Sequence, residues 1–416
     1  MLALCLSGGG FRATLFHLGA LRRLNELGVL ARVEVISSVS GGSILNGVLA
    51  TRWSRLTPCP RGCFTNFDDL VAREVRLFCR RDLRTPLLLW GRLKPAYWGA
   101  VLRNFGSVPA NALAAAYGPL CEGQQLARLP GPGPRAPRFV FCATSVQTGA
   151  CWQFHGGAGG RMGDFYSGYS GVGRVTVAEA VAASSAFPPG FGALQLRPPR
   201  PEDVSRLDPW GEARPASLKR QAAGGVGQPI LLTDGGVYDN LGVEPVWGRC
   251  RALLVSDAGR PFASVPTCSQ ALVARLRRAA EISTEQVGAV RKRWLIQELL
   301  GKRCAGAVWA INTRLEDYAV KARGLGLAVR PLLPEVRTDL NAFTPGEIAC
   351  LENHGYSLTD AALHARAPEL CSSPCAPFRW PHPKWCDDQA VAAALGRSAS
   401  RRVLRDVWRA LTGRCS

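Results

Sequence analysis

The sequence predicts an α/β fold built on a mostly parallel central sheet. Three observations carry that prediction: short apolar runs alternate with amphipathic stretches along most of the chain, small-residue turns follow several of those runs, and helical patterns open directly after the turns. Residues 2–6, LALCL, read as a buried strand that ends in the turn SGGG. In the next stretch Leu15, Leu18, Leu21, Leu24 and Leu27 recur at every third or fourth position, Arg22, Arg23 and Glu26 lie off that stripe, and Gly28 suits the helix end. VEVIS at 33–37 makes a second strand, the knot SSVSGGS turns the chain, and helix resumes over 43–53. Strands are expected again at 137–145, 229–233, 251–257 and 307–313, with helices at 176–187 and 268–300 between them. Thr344, Pro345 and Glu347 form the capping signal of a further helix.

Two stretches interrupt this rhythm: a basic helical insertion over 65–135, and a Pro- and Arg-rich segment over 190–228. A structureless loop as long as the second is uncommon in a compact domain and points to a lid, a binding loop or disorder. The expected organisation is one catalytic domain over 1–315 carrying both insertions, with 316–416 a mainly helical extension packed on it.

With 416 residues, 47% of them hydrophobic, the chain can bury a large core. Its 15 cysteines include isolated ones in core strands, Cys5 and Cys142, unlike a disulfide scaffold, so a reducing compartment is expected. Cys59 and Cys63, and Cys371, Cys375 and Cys386 near His382, lack the paired C-x2-C spacing of a zinc ribbon, so no metal site is expected. No run of 18 apolar residues occurs and the first residues lack a basic n-region, which predicts a cytoplasmic protein with at most peripheral membrane contact. The formal charge of +20 is spread along the chain and fits either a solvated basic surface or attraction to anionic lipid. Residues 87–105, LLLWGRLKPAYWGAVLRNF, offer an interfacial patch of tryptophan and arginine, with core packing as the alternative. No helix-turn-helix, zinc-finger or aromatic RNP pattern is present, so a nucleic-acid partner is not expected.

The chemistry concentrates at strand ends. Ser7–Ala13 sits at a strand-to-helix junction, where free backbone N–H groups and the helix dipole favour an anion. Gly8, Gly10 and Ala13 satisfy G-x-G-x-x-A, but the acidic residue of a dinucleotide site belongs at the end of the second strand, and Glu34 lies in its middle. The other use of such a turn is an oxyanion hole, which requires a nucleophile. Ser40 supplies one in Ser38-Val39-Ser40-Gly41-Gly42, a sharp strand-to-helix turn with small flanking residues; Ser37, Ser38 and Ser43 are alternative helix caps. None of the five histidines follows the end of a core strand. Asp234 does, ahead of Gly235 and Gly236, and is ranked above Asp257, which ends another strand, while Asp239 suits a turn cap.

These pieces resemble the patatin-like phospholipase family, serine acyl hydrolases with a Ser-Asp dyad. Its glycine-rich turn appears as Gly8-Gly9-Gly10-Phe11-Arg12, its elbow as Ser38-Val39-Ser40-Gly41-Gly42 and its late turn as Asp234-Gly235-Gly236, and Ala183–Pro189 resembles its small-residue segment. The likeness covers about 1–60 and 137–260; the departure is Ser38 in place of the elbow's first glycine. The resemblance implies a three-layer α/β/α domain that hydrolyses acyl lipids with no metal or other cofactor. Ser40 and Asp234 would be catalytic, Gly8, Gly9, Gly10 and Gly41 would form the oxyanion hole, and Arg12, Gly42, Gly235 and Gly236 would support them. Arg12 would either orient the glycine turn or attract a phosphate headgroup. A phospholipid or other acyl lipid at an anionic membrane is the implied partner. The rival readings are a catalytically weak lipid-binding scaffold of the same fold, and an acyltransferase using the same dyad.

Overall fold

The computed structural model describes residues 1–87, 108–188, 191–205, 207–212, 228–262, 264, 267, 271–320, 323–372, 376–396 and 398. Strand β1 (Leu2–Leu6) lies between β2 (Val35–Val39) and β9 (Ala252–Asp257), parallel to both. Strand β3 (Arg138–Ser145) continues the parallel core beyond β2, and β10 (Ala305–Ala310) continues it beyond β9. Past β3 the pairing turns antiparallel through β4 (Cys151–His155), β5 (Arg161–Asp164) and β6 (Gly168–Gly171). The sequence reading misses these three strands because they are short and two of them contain glycine, which breaks the apolar run.

Alternation along the central strands places a core on each face of the sheet. On one face Leu4, Leu6 and Ile36 join apolar residues of α1 (Gly10–Glu26), α2 (Gly41–Arg52), α5 (Val177–Ser185) and α9 (Pro345–Arg366). On the other, Ala3, Cys5, Val35 and Val39 meet Leu241, Val246 and Leu295, the last from α7 (Leu272–Leu300). The layering is therefore α/β/α. Capping boxes fix two helix starts: Thr176 and Glu179 at α5, and Thr344 and Glu347 at α9, the latter as the sequence predicts.

Within the 65–135 insertion, α3 (Arg73–Cys79) and α4 (Val108–Tyr117) are helical, whereas most of the tryptophan- and arginine-bearing patch expected at 87–105 lies outside the described residues. Within 190–228, β7 (Leu194–Leu196) pairs with β8 (Ile230–Asp234), and residues 213–227 lie outside the described residues. After β10 the chain forms α8 (Leu332–Glu335), then α9, which packs along α1, and finally α10 (Asp388–Leu395). Cys59 and Cys63, four residues apart, form a local disulfide. No described helix is long and apolar enough to cross a membrane.

One feature of register positions the site. β2 pairs with β3 up to Val39 opposite Cys142, and there it ends. The same edge of β3 is then taken over by β8, running antiparallel, with Asp234 opposite Ala143 and Thr233 opposite Thr144. The carboxyl ends of β2 and β8 thus converge on adjacent residues of β3, and Ser40 and Asp234 arrive at one place from opposite directions.

Candidate active site

Ser40 follows β2 directly and precedes the first residue of α2, with φ 51° and ψ −119°. A side-chain-bearing residue at positive φ is strained, and such strain persists only where its surroundings enforce it. The enforcing contacts are visible: a Cβ on Gly41 would stand 2.1 Å from the Gly10 carbonyl oxygen, and one on Gly42 would stand 2.4 Å from that of Leu6. Only glycine lets the elbow lie this close to the first turn. Ser38, in place of the elbow's usual glycine, is fully buried; its hydroxyl donates to the Val140 carbonyl at 3.1 Å and accepts from Asn46 and Ser43, both at 2.9 Å. Ser38 and Ser43 thus stabilise the turn's underside, while Ser40, 9% exposed, stands above it.

Asp234 is 2% exposed. Its Oδ1 accepts from the Gly236 amide at 2.7 Å, while Oδ2 is buried with no partner of full hydrogen-bond geometry. Burial raises the carboxyl pKa to about 7; the Gly236 amide and the Ser40 hydroxyl pull in the opposite direction. The Ser40 hydroxyl therefore lies near enough to act on the carboxylate without an ideal bond to it. A carboxylate of this kind, half ionised near neutrality, can accept a proton from an adjacent hydroxyl.

The end of α5 joins the two residues, a role the sequence analysis did not single out. The Ser40 amide donates to the Ser184 carbonyl at 3.1 Å and to its hydroxyl at 2.9 Å, and the Gly235 amide donates to the same carbonyl at 3.2 Å. The Asp234 amide and the Thr233 hydroxyl both donate to the Ala186 carbonyl, at 3.1 and 2.9 Å. Ser184 is held in turn by a 2.6 Å bond to the Cys142 carbonyl. The available signal was the run of small residues Ala182–Ala186, which permits close backbone approach.

Beside Ser40 lie the glycines of the first turn. The Gly8 amide is taken by the Asn240 carbonyl at 3.0 Å, so Gly8 gives close approach, its added Cβ standing 3.0 Å from that of Ser40. Among the described residues, none accepts from the amides of Gly9, Gly10 or Gly41. Gly10 and Gly41 open α1 and α2, where helix N–H groups lack internal acceptors and the dipoles favour negative charge.

Arg12 is fully buried. Its guanidinium donates to the carbonyls of Pro334 and Val336, each at 2.8 Å, and of Ala258 at 2.7 Å, and burial lowers its pKa to about 10. Of its two expected uses, orienting the glycine turn fits this geometry; a headgroup has no access to it. The Phe11 amide adds a 3.0 Å bond to the Asp339 carbonyl, so residues 334–339 brace the turn from behind. The region after 315, to which the sequence analysis gave no function, thereby supports the site.

The histidines are engaged elsewhere: His17 with Ser256 and the Ser7 carbonyl, His155 with Gln153, His354 with the Ile311 carbonyl, His364 with the Asp360 carbonyl and His382 with Glu352. Asp239 accepts from the amides of Leu241, Val243 and Glu244 and so caps the turn after Asp234, as expected. Asp257 pairs with Lys292 at 2.5 Å.

A patatin-like phospholipase family model matches residues 4–247, more than half of the chain. The chain belongs to this family. Its mostly parallel sheet between helical layers is the patatin fold. Human GIVD cytosolic phospholipase A2 is a structural neighbour at 14% identity and TM-score 0.45, the match covering 95% of this chain and 60% of the human one. VipD from Legionella pneumophila is another, at 13% identity and TM-score 0.33, covering 88% and 67%. This chain thus spans about 60% of the human phospholipase's length. No curated protein matches the sequence.

Proposed function

We propose that the protein is a lipid acyl hydrolase that cleaves carboxylic esters through a Ser40–Asp234 dyad at anionic membrane surfaces, as a peripheral protein of the cytoplasm. The observation that carries this reading is the convergence of β2 and β8 on β3, which brings the strained Ser40 to a buried carboxylate whose pKa is about 7. Ser40 Oγ attacks the ester carbonyl while its proton passes to Asp234. The amides of Gly9, Gly10 and Gly41 stabilise the negative oxygen of the tetrahedral intermediate. Collapse of that intermediate expels the alcohol, which takes the proton from Asp234 and leaves an acyl-Ser40 ester. Water then attacks this ester while Asp234 accepts its proton, and as the acyl–oxygen bond breaks Asp234 returns that proton to Ser40 Oγ and the fatty acid departs. Family membership supports this chemistry, and the basic charge of the chain supports the surface on which it acts.

The test is release of p-nitrophenol from a medium-chain ester by the wild type and by Ser40→Ala. The expected result is turnover by the wild type and a loss of about a thousandfold or more in the variant. Turnover that survives Ser40→Ala overturns the mechanism, and an inert wild type favours a binding protein of the same fold.

A further inference from the structure

Helix α7 carries an apolar surface that the dyad does not use. Leu272, Leu276, Val287 and Trp294 are 70%, 61%, 41% and 55% exposed. Their offsets of four, eleven and seven residues keep them within about 60° of one another on a helix of ~3.6 residues per turn, over about 33 Å of its length. Ile282, Ile296 and Leu300 form a second exposed strip, and the exposed Arg275 and Arg293 lie between the two. An exposed apolar strip of this length marks an interaction surface.

The opposite face of α7 is fastened to the strand ends around the dyad. Leu295 is buried, Lys292 pairs with Asp257 at the end of β9, and Arg291 donates to the Tyr238 carbonyl at 2.6 Å, four residues beyond Asp234. Phe187, Val237 and Phe262 are also exposed, at 56%, 37% and 46%, and Arg278 of α7 stacks over the Phe262 ring at 4.3 Å. Phe187 follows Ala186, whose carbonyl holds the Asp234 backbone, and Val237 follows the Asp234-Gly235-Gly236 turn.

We infer that the outward face of α7, with Phe187, Val237 and Phe262, is the surface by which the protein docks on an anionic phospholipid bilayer. The inference rests on the acyl-hydrolase reading for its purpose and not for the binding itself. Arginines interleaved with aliphatic residues and a tryptophan suit the headgroup layer, where the cations meet phosphate and the apolar groups enter the acyl boundary. Self-pairing of α7 about a two-fold axis fits less well, because it brings the Arg275 end of one copy to the Arg293 end of the other and sets like charges together.

The experiment uses the full chain with phosphatidylcholine vesicles prepared with and without phosphatidylglycerol. Co-sedimentation, hydrolysis of a soluble short-chain ester and mass by light scattering are read in parallel. The double variant Leu276→Ser/Trp294→Ser is expected to lose about tenfold or more in vesicle partitioning while keeping its turnover of the soluble ester. Arg275→Gln/Arg293→Gln is expected to weaken binding to the anionic vesicles and leave binding to the zwitterionic ones unchanged. Wild-type protein that ignores both vesicles, or variants that bind as it does, overturn the inference. So does a variant whose only change is conversion of a dimer to a monomer, which would make α7 a seam between copies. Vesicle binding through α7 by a protein that cleaves no ester would retain the docking surface and sink the hydrolase; turnover with no vesicle binding would do the reverse.

Discussion

The turns after β8 and β9 make a natural controlled comparison. Each strand ends in an aspartate that is 2% exposed, and each carboxylate accepts from the backbone amide two residues on, Gly236 or Gly259. Their electrostatics diverge. Burial dominates at Asp234 and raises its pKa to about 7. Burial also acts at Asp257, but the charge and hydrogen bond of Lys292, with the Gly259 amide, outweigh it and hold that carboxyl below its ordinary value. A strand-end aspartate thus has its pKa raised or lowered according to whether a cation reaches it, and one side chain on α7 makes the difference.

The largest effect that should separate the two turns is on catalysis. Asp234→Asn is expected to lower kcat/KM for a soluble ester by about a thousandfold or more, whereas Asp257→Asn should keep it within about tenfold. Equal losses in both variants would make the two aspartates equivalent in catalysis. Lys292→Met tests the structural aspartate: with a buried carboxylate left unpaired, unfolding free energy should fall by about 2 kcal/mol at neutral pH. Because the folded pKa of Asp257 lies below its unfolded value, its stabilising contribution is present above the ordinary carboxylate range and is lost as pH falls through the folded value. The deficit of Lys292→Met should therefore shrink on acidification, as denaturant titrations over a pH series would report.

For Asp234 the linkage has the opposite sign. Its folded pKa is raised, so the stabilising contribution is complete at acid pH, below the unfolded carboxylate value, and is lost as pH rises through about 7. Asp234→Asn should thus stabilise the fold by about 1–3 kcal/mol at pH 8 and change little at pH 4. Since the base must be ionised to act, wild-type kcat/KM should climb through about pH 7 to a plateau; a flat profile across that range would separate Asp234 from the chemistry. The smallest expected effect is at the elbow. Replacing Ser40 by glycine relieves the strain of φ 51° and should raise stability by about 1 kcal/mol over Ser40→Ala, measured by thermal unfolding of the two variants.

Much of this arrangement is legible in the chain. Strand-turn-helix junctions have a local signature, because apolar runs, small-residue turns and amphipathic periodicity each arise from neighbours in sequence. Hence Gly8–Gly10, Ser40 and Asp234 could be placed at strand ends, and Thr344 could be named as a cap. The antiparallel strands β4, β5 and β6 were not visible, since all are short and the glycines of β5 and β6 dilute the pattern. The same holds for Ser184, whose place between Ser40 and Gly235 depends on contacts across 144 residues or fewer of intervening chain. It holds too for Arg12, which the sequence leaves between two uses and whose bonds to the carbonyls of Ala258, Pro334 and Val336 come from long-range packing.

The sequence by itself determined which groups stand at the ends of strands, since that follows from local patterning and from glycine where backbones must meet. Only the tertiary structure decided which of those groups face one another. The handover from β2 to β8 on the edge of β3 brings Ser40 to Asp234, and the docking of α7 gives Asp257 to Lys292. Charge and solvation act through space, so the choice between two similar aspartates is made by the distance to a cation, which the order of residues along the chain does not contain.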